Sequence, residues 1–105
     1  MKKYEVSLTP DAIQDLSGIY EYIAEKSGLP EVAWTYIQKL HHKCKELHTA
    51  PLRGQQRDDL RQNLRILPID KNAVVAFEVN EERCSVTILN IFYGGRDYDA
   101  IIKPV

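Results

Sequence analysis

The chain has 105 residues, of which 44% are hydrophobic and 28% are charged, and its formal net charge is −1. This length fits one domain, residues 1–105, with the composition of an ordinary soluble protein. The balanced charge excludes bulk electrostatic attraction to nucleic acid or membrane, and no apolar run approaches the ~20 residues of a membrane helix.

The amino terminus and the two cysteines indicate a compartment. The segment from Met1 to Glu5 turns polar too soon for a signal peptide. Cys44 and Cys84 lack metal-type spacing, so we interpret them as reduced thiols. Both observations predict a cytoplasmic protein that does not associate with a membrane.

The first half of the chain predicts a strand followed by two helices. Tyr4 to Leu8 alternates apolar and polar residues, which is typical of a strand with one buried face. Thr9 to Asp11 has the residues of a helix start, and apolar residues then recur at spacings of three and four from Ala12 to Ala24. A second helical stripe runs from Pro30 to Leu47, and Pro51 forbids its continuation. The short connection predicts an antiparallel helix hairpin.

The second half predicts a polar loop and three strands. Leu52 to Asn63 is polar, with room for one helical turn. The last strand is apolar except for Thr87 and Asn90, which predicts a central position in the sheet. Pro68 lacks a hydrogen-bond donor, so the strand that contains it lies partly at an edge. The strands are Leu64 to Ile69, Ala73 to Val79 and Val86 to Tyr93.

These elements predict an α+β fold. The short turns between the last three strands require an antiparallel meander. Two amphipathic helices and a half-buried sheet bury their apolar faces most simply against each other. We therefore expect an N-terminal strand, an antiparallel two-helix hairpin and a three-stranded antiparallel meander, with the helices packed on one face of the sheet.

Two arginines stand where strands begin or end. Gly94 and Gly95 stop the last strand, and Arg96 and Asp97 follow directly. This pair could form a functional patch, or it could be a structural ion pair that contributes little if exposed. Arg65 could contact a target or a phosphate group, or it could anchor the loop before its strand. The residues alone leave both alternatives open.

The polar loop could form a nucleic-acid interface. Arg53, Arg57 and Arg61 are four residues apart and would form a basic stripe on a helix. Pro51 precedes the stripe, Gly54 interrupts it, and two aspartates offset part of its charge. We therefore favour a solvated loop.

One helix carries a possible metal site. His41, Cys44 and His48 would share a helix face. However, Cys44 belongs to the apolar stripe, and free cysteines are commonly buried. Since no fourth ligand is evident, we predict no metal and no cofactor.

Taken in order, the segments resemble the RelE/ParE superfamily, the toxins of bacterial type II toxin–antitoxin modules. The resemblance covers nearly the whole chain and rests on several segments, since no single motif is specific. It implies a cognate antitoxin whose carboxy-terminal segment wraps the toxin in a hetero-oligomer. The segments are Thr9 to Ala12, Asp15 to Ile23, Leu47 to Pro51, Gly54, Leu64-Arg65 and Ile91 to Asp97.

Within the superfamily, the ParE-like branch fits better. This resemblance implies a plasmid-stabilisation toxin that inhibits DNA gyrase by protein binding and is not an enzyme. The target-binding residues that we infer are Arg65, Arg96, Asp97 and Tyr98. An exposed edge of the meander offers the antitoxin a place to add a strand.

The alternative is a RelE-like, metal-independent endoribonuclease that cuts messenger RNA on the ribosome. Arg65 and Arg96 would then stabilise charge on the phosphate, and Tyr98 would be the acid. The chain departs from that pattern, because Ala73 to Phe77 contains no arginine and Ile102 stands where RelE-like toxins often have a tyrosine. A third alternative is an inactive toxin homologue.

Overall fold

The computed structural model describes residues 3–94. The predicted elements follow one another in the predicted order, and one short strand is added to them. The elements are β1 (Glu5–Leu8), α1 (Pro10–Ser27), α2 (Pro30–Lys45), a 3₁₀ turn (Glu46–His48), β2 (Gln55–Gln56), β3 (Leu64–Pro68), β4 (Ala73–Asn80) and β5 (Ser85–Tyr93). Neither helix in this part of the chain has the length and hydropathy that a membrane crossing requires.

The five strands form one mixed sheet in the order β1-β5-β4-β3-β2. β1 runs parallel to β5, and every other neighbouring pair is antiparallel. The α+β prediction is therefore confirmed, including the meander and the internal position of the last strand. The prediction for Pro68 also holds, because β2 pairs only with Arg65 and Ile66 and leaves the Pro68 end of β3 paired with β4 alone.

The loop prediction was wrong at Gln55 and Gln56, which form β2 against β3. The sequence does not indicate this strand, because a close approach between two backbones fixes it, and not an alternation of apolar residues. Gly54 has a positive φ of 77°, and a Cβ built there would lie 2.3 Å from the carbonyl oxygen of Ile66. Only glycine permits this approach.

The helix hairpin begins and ends at residues with clear capping roles. The Thr9 hydroxyl accepts a hydrogen bond from the N–H of Ala12 at 3.1 Å, and Pro10 occupies the first helical position. Gly28 closes α1 in the left-handed conformation, and its N–H donates to the carbonyl of Ala24 at 2.9 Å. The chain then turns at once into α2, so both helices lie on the same face of the sheet.

The main core lies between the hairpin and the sheet. Its largest fully buried side chains are Phe77, Leu40, Leu47, Ile88 and Ile91. A second, smaller cluster lies on the opposite face of the sheet and contains Leu64, Ile66, Ala76 and Phe92. The centre of the sheet is therefore apolar on both faces, as expected for strands without strict alternation.

Candidate docking groove at the end of the last strand

A β-bulge shifts the second half of β5. Ala76 pairs with Asn90, whereas the next residue, Phe77, pairs with Ile88, so Leu89 is the extra residue. The bulge returns Ile91 to the helix-facing core beside Ile88. The ladder between β1 and β5 ends just before the bulge, at Ile88, where the chain enters α1.

Polar side chains of Thr9 and α1 bind backbone groups of β5 beyond the end of β1. The Asp15 carboxylate accepts hydrogen bonds from the N–H of Ile91 at 2.9 Å and from the Asn90 amide at 3.1 Å. The hydroxyl of Thr9 donates to the carbonyl of Leu89 at 3.0 Å. These three contacts fasten α1 to the bulge and fix the distance between the helix and the end of β5.

An open groove of about 430 Å³ lies between α1 and the end of β5. Its lining offers one carboxylate, one amide, two phenol rings and two isoleucine side chains, which suits recognition by shape, hydrogen bonding and aromatic contact. The lining residues are Gln14, Asp15, Gly18, Ile19, Tyr22, Ile91, Tyr93 and Gly94.

Three tyrosines stiffen one end of the groove. The Tyr93 ring packs edge-to-face against Tyr22, with centroids 5.9 Å apart, and against Tyr36 at 5.6 Å. The Tyr36 hydroxyl donates to Asp70 at 3.0 Å. Burial, followed by the hydrogen bond to the Asp70 carboxylate, raises the pKa of Tyr36 above its ordinary value. Tyr36 therefore remains a neutral donor and holds the Tyr93 ring in place.

The predicted site residues are only partly within the described chain. Arg65 lies on β3, two strands away from β5. It is opposite Phe77 of β4, whereas Tyr93 at the end of β5 is opposite Ala73 of β4. Arg65 is therefore not beside the end of β5. Its guanidinium donates to the carbonyl of Arg53 at 3.4 Å, which is the geometry of a loop anchor. The other predicted target-binding residues, Arg96, Asp97 and Tyr98, lie outside residues 3–94.

The loop arginines do not form a basic stripe. Arg53 lies 3.8 Å from Glu46, Arg57 forms a bidentate pair with Asp59, and Arg61 lies 2.8 Å from Glu78. Each guanidinium thus has a carboxylate neighbour, and the segment folds as a strand and turns rather than as a helix. The preference for a solvated loop over a nucleic-acid stripe agrees with this arrangement.

The metal hypothesis gains no support from the helix that would carry it. Cys44 is fully buried in the core, and burial raises the pKa of its thiol to about 11, against a weaker opposing effect of the Lys45 charge. The Nδ1 atom of His48 lies 2.7 Å from the carbonyl oxygen of Lys45. Across residues 3–94, no group of three His, Cys, Asp or Glu side chains could hold a metal ion.

Asp15 is the residue that sequence reasoning missed. Its position among other acidic residues of α1 is typical of a solvated helix surface. Two signals pointed to its real role: it lies within one helical turn of the buried Ala12, Leu16 and Ile19, and Asn90 is a polar residue inside an apolar strand. Neither signal is specific without knowledge of which strand lies under α1.

One sequence comparison identifies a family, and solved structures share the fold. A sequence model described as the ParE toxin of type II toxin–antitoxin systems, parDE, matches residues 6–98. No curated protein sequence matches the chain. Among solved structures, the chromosomal ParDE toxin–antitoxin system from P. aeruginosa aligns with a TM-score of 0.74 and 22% identity, over 88% of this chain and 97% of that chain. The toxin–antitoxin complex RelBE2 from Mycobacterium tuberculosis aligns with a TM-score of 0.57 and 16% identity, over 87% and 98% of the two chains.

Proposed function

Because the chain belongs to the ParE toxin family of type II toxin–antitoxin systems, we propose that it arrests growth by binding DNA gyrase and that a cognate antitoxin neutralises it. It acts in the cytoplasm as part of a plasmid-stabilisation module. The family match over residues 6–98 is the observation that carries this proposal. The toxin works through protein contacts and needs no cofactor.

The sheet supports binding over RNA cleavage. A ribosome-dependent nuclease needs cations on strands that face the phosphate backbone. Here β4 contributes buried Val75 and Phe77 to the helix-facing core and buried Ala76 to the opposite cluster. The Arg65 guanidinium, the described member of the nuclease set, is bonded to the carbonyl of Arg53. The surface of the described sheet therefore favours the gyrase-binding function.

The residues that we propose contact gyrase come after the end of β5 in the sequence. Arg96, Asp97 and Tyr98 come directly after Gly94 and Gly95, and Gly94 lines the groove. A guanidinium and a phenol that follow the strand end in sequence suit a protein surface with complementary carboxylates and backbone carbonyls. Arg65 does not touch the target in this proposal. Its guanidinium holds the loop in place through the carbonyl of Arg53.

A partner protein is part of the proposal. The two aligned structures are a ParDE toxin–antitoxin system and a RelBE2 toxin–antitoxin complex. By analogy, an antitoxin encoded beside this chain binds it as a hetero-oligomer and blocks the gyrase contact.

Expression without antitoxin tests the function. The expected result is growth arrest with trapped double-strand DNA breaks, an induced DNA-damage response and intact messenger RNA. Co-expression of the neighbouring reading frame should restore growth. The Arg96→Glu variant should reduce the arrest at least tenfold in colony counts, whereas Glu82→Gln, an exposed change in the β4–β5 turn, should not.

Three other outcomes of this experiment would each contradict a different part of the proposal. Codon-biased RNA ends with rapid loss of translation would establish the nuclease alternative. A folded protein that causes neither effect would establish an inactive homologue. Undiminished arrest by folded Arg96→Glu would remove Arg96 from the target contact.

A further inference from the structure

The turn between β3 and β4 holds the chain just after the end of β5. Tyr93, the last residue of β5, is opposite Ala73 at the start of β4. One residue further on, the N–H of Gly94 donates to the carbonyl of Asn72 in the turn at 2.9 Å. This hydrogen bond fixes the point at which the chain leaves β5.

Asp70 holds the turn that provides this acceptor. Its Oδ1 atom accepts hydrogen bonds from the N–H of Asn72 at 2.8 Å and from the N–H of Ala73 at 3.0 Å. Its Oδ2 atom accepts from the Tyr36 hydroxyl at 3.0 Å and from the Lys39 ammonium at 3.4 Å. One carboxylate therefore connects α2 to the turn between β3 and β4.

Tyr36 also holds the strand end directly. Its ring packs edge-to-face against the ring of Tyr93, with centroids 5.6 Å apart and an interplanar angle of 71°. The hydroxyl of Tyr36 thus acts on the turn through Asp70, while its ring acts on the last residue of β5. The two routes meet at neighbouring residues, because Tyr93 and Gly94 are consecutive.

The contacts from α2 exceed what the turn needs for its own closure. The N–H of Ile69 already donates to the carbonyl of Ala73 at 2.8 Å, and an aspartate commonly caps such a turn. The Lys39 side chain is 52% exposed, so its ion pair with Asp70 contributes little. Tyr36, which is partly buried, is therefore the residue through which α2 acts on the strand end.

The position of the strand end matters for the residues that follow it. Arg96 comes two residues after Gly94. Two peptide units span at most roughly 7 Å, so the point where the chain leaves β5 limits where the Arg96 guanidinium can reach. A contact residue is effective when the structure that carries it is rigid and is itself supported by neighbouring hydrogen bonds and packing.

We propose that Tyr36 and Asp70 are positioning residues for the gyrase contact, because they fix the place from which Arg96 reaches its target. The inference rests on the proposed function, in which gyrase is the target. Tyr36 acts through the ring of Tyr93, and Asp70 acts through the turn that binds Gly94. Both side chains work from inside the toxin and make no contact with gyrase themselves.

Inhibition of purified DNA gyrase by the full-length chain tests these roles. Tyr36→Leu removes both the ring contact and the hydroxyl, so it should raise the concentration needed for inhibition about tenfold. Tyr36→Phe keeps the ring and should raise that concentration only about threefold. In a chain that already carries Asp70→Ala, Tyr36→Phe should cause no further loss of inhibition, because the hydroxyl no longer has that acceptor.

Hydrogen exchange separates positioning from a general loss of stability. In the Tyr36→Leu chain, the Gly94 amide should exchange about tenfold faster, whereas the Ile91 amide, which donates to Asp15, should be unchanged. Ile37→Val, which removes one methyl group from the buried face of α2, is the matched control. It lowers stability but should change neither gyrase inhibition nor Gly94 exchange. Thermal unfolding verifies that each variant is folded.

The other outcomes count against the inference. If folded Tyr36→Leu inhibits gyrase as strongly as the parent chain, the two residues do not position the contact, and the proposed function stands. If Ile37→Val loses as much inhibition as Tyr36→Leu, or if the amides of Gly94 and Ile91 accelerate together, the loss reflects stability alone. If the parent chain itself does not inhibit gyrase, the proposed function fails and the inference fails with it.

Discussion

Two glycines show how the same residue type serves opposite purposes. Gly54 has a positive φ and lies against the carbonyl of Ile66, whereas Gly18 lies in a regular helix beside empty space. The first is required by the backbone of β2. The second weakens α1 for no reason internal to the described fold.

Alanine substitutions should separate the two roles. Gly18→Ala should stabilise the chain by about 0.5–1 kcal/mol, because it improves helix propensity without a clash. Gly54→Ala should destabilise it by about 2 kcal/mol or more, because the left-handed conformation and the Ile66 carbonyl both oppose a Cβ. Chemical denaturation measures both, and each variant is the control for the other. Equal changes in the free energy of unfolding for the two variants would contradict these two roles.

Asp70 is the residue on which the turn between β3 and β4 depends. Its carboxylate accepts from the N–H groups of Asn72 at 2.8 Å and Ala73 at 3.0 Å, and from the Tyr36 hydroxyl and Lys39. Burial acts to raise the pKa of Asp70, but the hydrogen bonds from Asn72, Tyr36 and Lys39 outweigh it and lower the pKa below its ordinary value.

The lowered pKa of Asp70 fixes the direction of a pH dependence. The ionised carboxylate contributes stability that is present above the unfolded pKa of about 3.9 and is lost as pH falls through the folded pKa. Asp70→Asn should therefore cost about 1–2 kcal/mol at pH 7, and the difference from the parent chain should shrink as pH drops below about 4. Glu82→Gln, in an exposed turn, should show no such trend. A difference that is constant with pH would contradict this role.

At the scale of elements, α1 and β5 are joined by polar contacts as well as by the core. The bulge at Leu89 lies beyond the end of β1, where Asp15 and Thr9 bind backbone groups of β5 in place of a neighbouring strand. A bulge of this kind re-aims the strand end. Here it brings Ile91 into the core and turns the edge of Tyr93 toward the groove.

Removing the carboxylate of Asp15 should loosen the whole strand end. Asp15→Ala leaves the N–H of Ile91 and the Asn90 amide without their acceptor, which should cost about 1–3 kcal/mol. The Ile91 amide should also exchange faster with solvent. Gln14→Ala, one residue earlier and exposed, should change stability by less than about 0.5 kcal/mol. If the two variants were equally stable, the bulge would not depend on Asp15.

At the scale of the whole molecule, one layer of helices covers one face of the sheet. The interior of the sheet is apolar on both faces, with Phe77 and Ile88 toward the helices and Ala76 and Phe92 on the other side. Cations are held by carboxylates around the loop after α2.

The order of elements, the start of α1, the hairpin and the meander followed from the sequence alone. They depend on local chemistry: helical spacing of apolar residues, Thr9 and Pro10 at a helix start, and turns too short for any but antiparallel pairing. The family resemblance rested on the same local segments and is confirmed by the match over residues 6–98.

Tertiary structure alone decided which strands are neighbours and what lies between them. Sequence spacing does not determine that β1 pairs with β5, that Leu89 is the extra residue of a bulge, or that Gln55 and Gln56 join the sheet. Each is a contact between distant segments, chosen by which backbone groups remain unpaired once the core has formed. The groove beside Gly18 arises from those pairings, because β1 ends four residues into β5 and leaves its edge open.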